Sequence, residues 1–255
     1  PYVAWGSSLI DYLPHWVAAD GRERLAERLL DAAVRRAIRA EIEEEVGNGR
    51  HPLCAAPWDT VRIALVGSAA NRHHEGRTIA QIAASEGRDP LEVVFDLLAA
   101  ERGAVKTLVF CVDEGDIRTI LRHPLTAVVT DGRAVAPYGV LGQGMIHPRY
   151  YGAFPRVLAR YVRDEKLLTL ESAIHRMTLM PARRIGLHDR GRIAPGFAAD
   201  LTIFDPATIQ DRATFEQPHE YPAGIAWVIL GGNVVVEQGE HTGRMCGHVL
   251  RRGGR

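Results

Sequence analysis

Over residues 21–46 the apolar positions Leu25, Leu29, Leu30, Val34, Ile38, Ile42 and Val46 recur mostly at steps of three and four among many Arg and Glu, which predicts one amphipathic helix. Ahead of it, PYVAWGSSLIDYLPHW is an apolar, strand-like entry. After a Gly/Pro/His loop, residues 61–68 (VRIALVGS) form a short apolar run suited to a buried strand, and residues 77–86 and 90–101 read as helices. Asp89 before Pro90 strengthens the second helix start, because Asp can accept from the free N–H groups and Pro lacks the N–H that would go unpaired. Residues 106–112 (KTLVFCV) predict a strand, DEGDIRTILRH a helix, and PLTAVVTDG a strand ending at Asp131. The alternation predicts an α/β chain, with nearly continuous apolar strands of the kind parallel sheets bury on both faces.

Residues 132–148 hold four glycines and two prolines and read as a loop opening where that strand ends. Helices are predicted over 154–164 and 170–178, the second capped by Thr169. After Gly186 the pattern changes to short strands with Gly and Pro turns, GRIAPGFAADLTIFDP and IAWVILGGNVVVEQG, so a small β domain is expected there. No internal repeat or low-complexity segment appears.

Composition narrows the partners. Among 255 residues, 46% hydrophobic content supports a real core, and 31 Lys plus Arg balance 31 Asp plus Glu, so no charge excess draws the chain to nucleic acid or an anionic membrane. No apolar run approaches the roughly 18 residues of a membrane span, and no signal-peptide pattern opens the chain. Cys54, Cys111 and Cys246 form no C-x-x-C pair, and a reducing cytoplasm is the expected setting. Arg251, Arg252 and Arg255 read as a solvated tail.

The eleven histidines do not make a complete metal motif: there is no H-x-H or H-E-x-x-H, and His73 and His74 sit side by side in a polar turn. Nucleophile-elbow, Walker and dinucleotide-binding patterns are absent too. Asp131 is the positional candidate, since a carboxylate at the C-terminal end of an apolar parallel strand stands where α/β barrels build active sites. Asp-Gly is equally a strong turn dipeptide, and both readings stay open at this point.

The runs PYVAWGSSL with LPHW, GRTIAQIAASEGRDPLEVVFDLL, HPLTAVVTDG, HPRYYGAFPRVLARYVRDEKLLTLESAIHRMTLMPARRIGLHDRGRIAPGFAADLTIFDP and ATFEQPHEYPAGIAWVILGGNVVVEQGEHTGRMCGHVLRR resemble the N-acyl-D-amino-acid deacylases (D-aminoacylases) of the amidohydrolase superfamily. The resemblance implies the C-terminal part of a metal-dependent amidohydrolase (β/α)8 barrel with a large insertion, plus part of a small β domain. Residues 1–131 would be the end of the barrel, strands seven and eight, with an inserted helical subdomain at about 5–102; residues 132–189 would be an active-site loop and the last barrel helices; residues 190–255 would be the β domain. It implies zinc as cofactor, with principal ligands on earlier strands that precede this chain. By the same resemblance Asp131 is the strand-eight catalytic aspartate and a candidate zinc ligand, Arg149 of HPR the partner of the substrate carboxylate, and Tyr2 and Ser8 pocket residues, although the family's usual AGST-like run here reads AWGSS. The chemistry is consistent: zinc lowers the pKa of bound water to about 7, a carboxylate can move its proton to the leaving amine, and a guanidinium fork matches a carboxylate in two hydrogen bonds. Without the resemblance, Arg149 would read as a loop arginine in a surface ion pair.

A (β/α)8 barrel takes around 250 residues by itself, and this chain has too few left for eight strands and eight helices beside the insertion and the β domain. The expectation is therefore a truncated or cleaved product, or, preferred, one part of a heteromer in which a companion polypeptide carries the N-terminal half of the barrel. The expected reaction is hydrolysis of the amide bond of N-acyl-D-amino acids. A non-catalytic scaffold or regulatory subunit and a cyclic-amide hydrolase are the alternatives.

Overall fold

A computed structural model describes residues 2–250; the Arg251, Arg252 and Arg255 tail lies outside them. The first half centres on a three-stranded sheet of β1 (Trp5–Ser8), β2 (Val61–Leu65) and β3 (Lys106–Val109). Their spatial order is β1-β3-β2, with β3 antiparallel to both neighbours; Trp5 faces Val109 and Ser8 faces Lys106 across one seam, and Val61 faces Val109 across the other. Helices α1 (His15–Ala18), α2 (Arg22–Leu29), α3 (Ala32–Gly47), α4 (Ile79–Glu86) and α5 (Pro90–Ala100) accompany it. Leu25, Leu29, Ile38, Ile63, Ile82 and Phe95 belong to one buried cluster joining these helices to the sheet.

The helix expected over 21–46 is two. Asp31 adopts an extended conformation and accepts from Ala33 N–H at 2.7 Å, starting α3 afresh. Leu30, which the periodicity assigned to the buried face, is 76% exposed at the joint. Asp89 does cap α5, taking the N–H groups of Leu91 and Glu92 at 2.9 and 3.2 Å.

The second half holds α6 (Glu114–Arg122), α7 (Arg149–Arg156), α8 (Leu170–Met177) and α9 (Leu179–Ile185), then strands β4 (Leu201–Phe204), β5 (Ile225–Leu230), β6 (Asn233–Glu237) and β7 (Glu240–His241). The short strands expected after Gly186 form an antiparallel meander in chain order. Ile117, Leu121, Val157, Tyr161, Ala173 and Ile209 share a second buried cluster. Pro155 lies inside α7, and from Val157 to Asp164 the helix widens to π geometry. A proline has no N–H and its ring crowds the carbonyl four residues back, so a change of helical pitch is the physical response. Thr169 caps α8 as expected, accepting from Ser172 N–H at 3.2 Å.

Two expectations are corrected. The strands pair antiparallel, in two small sheets, and no parallel sheet is present among the described residues. PLTAVVTDG is not a strand: no other strand lies alongside to form a ladder, and its backbone is held at Val128, whose N–H reaches the Arg176 carbonyl at 3.0 Å. Strand propensity without an adjacent strand leaves the segment without regular structure, turning at Pro124–Leu125, with Leu125 82% and Val129 63% exposed.

Candidate active site

The Gly-rich loop comes back onto the first sheet at a defect in β2. Register shifts between Ile63 and Leu65, which turns the Ala64 carbonyl outward to accept Met145 N–H at 2.6 Å. Gly144 makes the approach feasible: its φ is +81°, and a Cβ there would sit 2.8 Å from the Ala64 oxygen. His219 pins the same loop, with Nε2 2.9 Å from the Gly144 carbonyl and Nδ1 3.2 Å from the Tyr151 hydroxyl.

Loop and sheet enclose a cleft of about 350 Å³. Lys106, Arg133 and Arg149 bring positive charge to its walls, and Asp11 brings negative charge. The Asp11 carboxylate is occupied, accepting the Ser7 hydroxyl at 2.6 Å and Ser8 N–H at 3.0 Å. Beside the cleft, Asp131 has a left-handed φ of 44° and a side chain 77% exposed. Arg149, 15% exposed at the start of α7, places Nη2 2.7 Å from the Asp131 carboxylate and donates from Nε to the Asp131 carbonyl at 3.2 Å. Its guanidinium also lies 5.6 Å from the centre of the Tyr150 ring.

The four residues singled out from sequence therefore separate. Asp131 and Arg149 come together in one ion pair. Ser8 lines the cleft, its hydroxyl donating to the Val105 carbonyl at 3.3 Å. Tyr2 does not line it: the ring is buried, its hydroxyl donates to Asp211 at 3.3 Å, and the Arg156 guanidinium lies 4.7 Å over its face. Burial, reinforced by the Asp211 charge, pushes the phenol above its ordinary pKa. Gly152 on α7 permits this packing, since a Cβ there would meet the Tyr2 hydroxyl at 2.5 Å.

His147 escaped sequence reasoning except as a letter in HPR. It is 2% exposed, with Nε2 2.8 Å from the Ala4 carbonyl and Nδ1 accepting Arg149 N–H at 3.0 Å. Burial holds its pKa down at about 4. Lys106 and Arg133, 27 positions apart in sequence, share the cleft only because the loop returns onto the first sheet.

As a zinc site these residues fall short. No group of three or more His, Cys, Asp or Glu side chains capable of holding a metal ion occurs among the described residues. Asp131 offers one carboxylate, and His147 spends both ring nitrogens on protein partners. A tetrahedral zinc site with an open position takes three protein ligands, so residues 2–250 do not provide one by themselves.

Known proteins resemble this chain in sequence and in fold. Residues 23–236 match the amidohydrolase family pattern. The chain is 41% identical over 177 residues to a D-aminoacylase of Alcaligenes xylosoxydans xylosoxydans, an alignment covering 69% of this chain and 34% of that protein. A D-aminoacylase crystal structure, described as defining a novel subset of amidohydrolases, superposes with a TM-score of 0.71 at 32% identity, covering 99% of this chain and 42% of the other. N-acyl-D-glutamate deacylase from Bordetella bronchiseptica, solved with zinc and a phosphonate inhibitor, superposes with a TM-score of 0.64 at 34% identity, covering 82% and 44%. The chain thus spans about a third of the length of the curated relative it matches. With the family pattern running through most of its length, the chain belongs to the amidohydrolase family.

Proposed function

We propose that this chain is the part of a zinc-dependent amidohydrolase that carries the proton-transferring carboxylate, Asp131, and the substrate-carboxylate partner, Arg149. The reaction is hydrolysis of the amide bond of N-acyl amino acids, N-acyl-D-amino acids foremost. The observation that carries the reading is the meeting of those two side chains, 18 positions apart in sequence, at 2.7 Å beside a cationic cleft. Arg149 already grips a carboxylate, the chemistry it would use on a free amino-acid carboxyl. Asp131, mostly exposed, is accessible to take a proton from attacking water and deliver it to the leaving amine. Ser8 supplies a polar wall. Tyr2 acts beneath the site, as a strut between α7 and Asp211.

Zinc belongs to this proposal as a cofactor held by ligands outside this sequence, with Asp131 as the one donor offered from within it. A companion polypeptide would carry those ligands and strands one to six of the barrel, with residues 1–131, 132–189 and 190–255 taking the roles of barrel end with its insertion, active-site loop with last helices, and β domain. A cytoplasmic setting accords with three free cysteines. N-acyl-D-amino acids are favoured over cyclic amides because the 177-residue likeness at 41% identity is to a D-aminoacylase.

Asp131→Asn tests the reading in the complete enzyme. It keeps the side-chain shape and an oxygen acceptor but removes the proton carrier, so the enzyme should assemble and retain most of its zinc while turnover falls by about 10²- to 10⁴-fold. A drop of less than about tenfold in the metal-loaded variant would favour the turn or scaffold readings.

A further inference from the structure

The ring of His147 joins the two elements that meet under Arg149. A carbonyl oxygen can only accept, so the 2.8 Å contact with Ala4 assigns the proton to Nε2. In the uncharged ring Nδ1 is then an acceptor, and it takes the N–H of Arg149 at 3.0 Å. That N–H opens α7 and has no helical partner of its own. Ala4 leads directly into β1, and Gly6 of that strand lies below the guanidinium: a Cβ on Gly6 would be 3.6 Å from Arg149 Nη2. The ring is wedged edge-on against Tyr2 and Phe215, with centroids 5.3 and 5.2 Å away. One buried side chain thus fixes both the strand under the fork and the backbone that carries it.

We propose that His147 is a positioning residue for substrate binding: as a clasp between Ala4 and Arg149 it holds the guanidinium over β1, where the substrate carboxylate docks. The inference rests on the assignment of Arg149 as carboxylate partner. Arginine's long side chain has much rotamer freedom to lose, and its planar fork loses affinity when the orientation wanders. An anchored Cα and an anchored strand below remove two sources of that wandering.

The test is steady-state kinetics of the complete enzyme on an N-acyl-D-amino acid and on the matching amide that lacks the carboxylate. His147→Phe keeps an aromatic ring and deletes both bonds. KM for the acid should rise about tenfold or more, kcat should change less than about threefold, and KM for the carboxylate-free amide should stay put. His147→Gln can still reach the Ala4 carbonyl and His147→Asn can still accept from Arg149 N–H, so each should show a smaller rise. An unchanged KM in His147→Phe, or an equal rise for both substrates, overturns the proposal. If His147→Phe does not fold, the Gln and Asn variants decide, and wild-type KM in both overturns it. Arg149→Lys distinguishes the failures. If that variant binds the acid as well as wild type, the carboxylate docks elsewhere and the assignment beneath the inference falls; if it raises KM while the His147 variants do not, the clasp alone falls.

Discussion

At the scale of single residues, Arg149 pairs with the exposed carboxylate of Asp131 at 2.7 Å, and the buried His147 beneath it bonds two backbone groups that only the folded chain brings within reach of one ring. Tyr2 is engaged elsewhere, its hydroxyl donating to Asp211. Burial of His147 also has a pH signature. Its pKa falls from an ordinary 6.5 to about 4 in the fold, with burial as the main cause, Arg149 pushing it further down and Asp131 pulling it up. The unfolded chain therefore binds the extra proton between those values, so this residue's contribution is complete above pH 6.5 and declines as pH falls towards 4. The melting temperature of the wild-type enzyme should drop more steeply than that of His147→Gln over that window; parallel curves would mean the ring is not held neutral.

At the scale of elements, the helix starts at Asp89 and Thr169 were read from their caps, whereas the cap at Asp31 was masked by apolar periodicity that runs on from α2 into α3. Strands were read less well, because a ladder needs a neighbour that the strand's own residues do not name. That is why residues 106–112 ended early at Val109 and why PLTAVVTDG forms no strand. Asp89 has a second task, an ion pair with Arg39 at 2.9 Å, and that hydrogen bond helps hold its carboxyl below the usual carboxylate range. Asp89→Ala should cost about 1 kcal/mol for the lost cap, with up to about 1 kcal/mol more for a half-exposed ion pair. Asp89→Asn should recover the cap share alone, and urea midpoints of the two variants measure the division; equal losses would show that the charge, not the cap, matters.

At the scale of the whole molecule, the described residues present two clusters of buried side chains beside apolar surface with nothing on it. Ile120, Leu125 and Val129 are all mostly exposed along α6 and the segment that follows. If a companion polypeptide covers that surface, as proposed above, the chain expressed by itself should associate nonspecifically or precipitate, and co-expression with the proposed companion should make it monodisperse. A cooperatively melting monomer of the isolated chain, seen by light scattering and calorimetry, would remove the reason for a companion.

The placement of β3 between β1 and β2 sets a schedule for biosynthesis. The Ser8 hydroxyl reaches its acceptor, the Val105 carbonyl, across 97 positions of chain, and β1 has its strand partner in β3. On a ribosome adding roughly 5–20 residues per second, β1 waits on the order of 5–20 s for that partner to be made. During the wait its edges are open and the helices between are already long enough to form. The loop after Asp131 follows all three strands in the chain, so the cleft it forms with the sheet takes shape only after β1, β2 and β3 have been made.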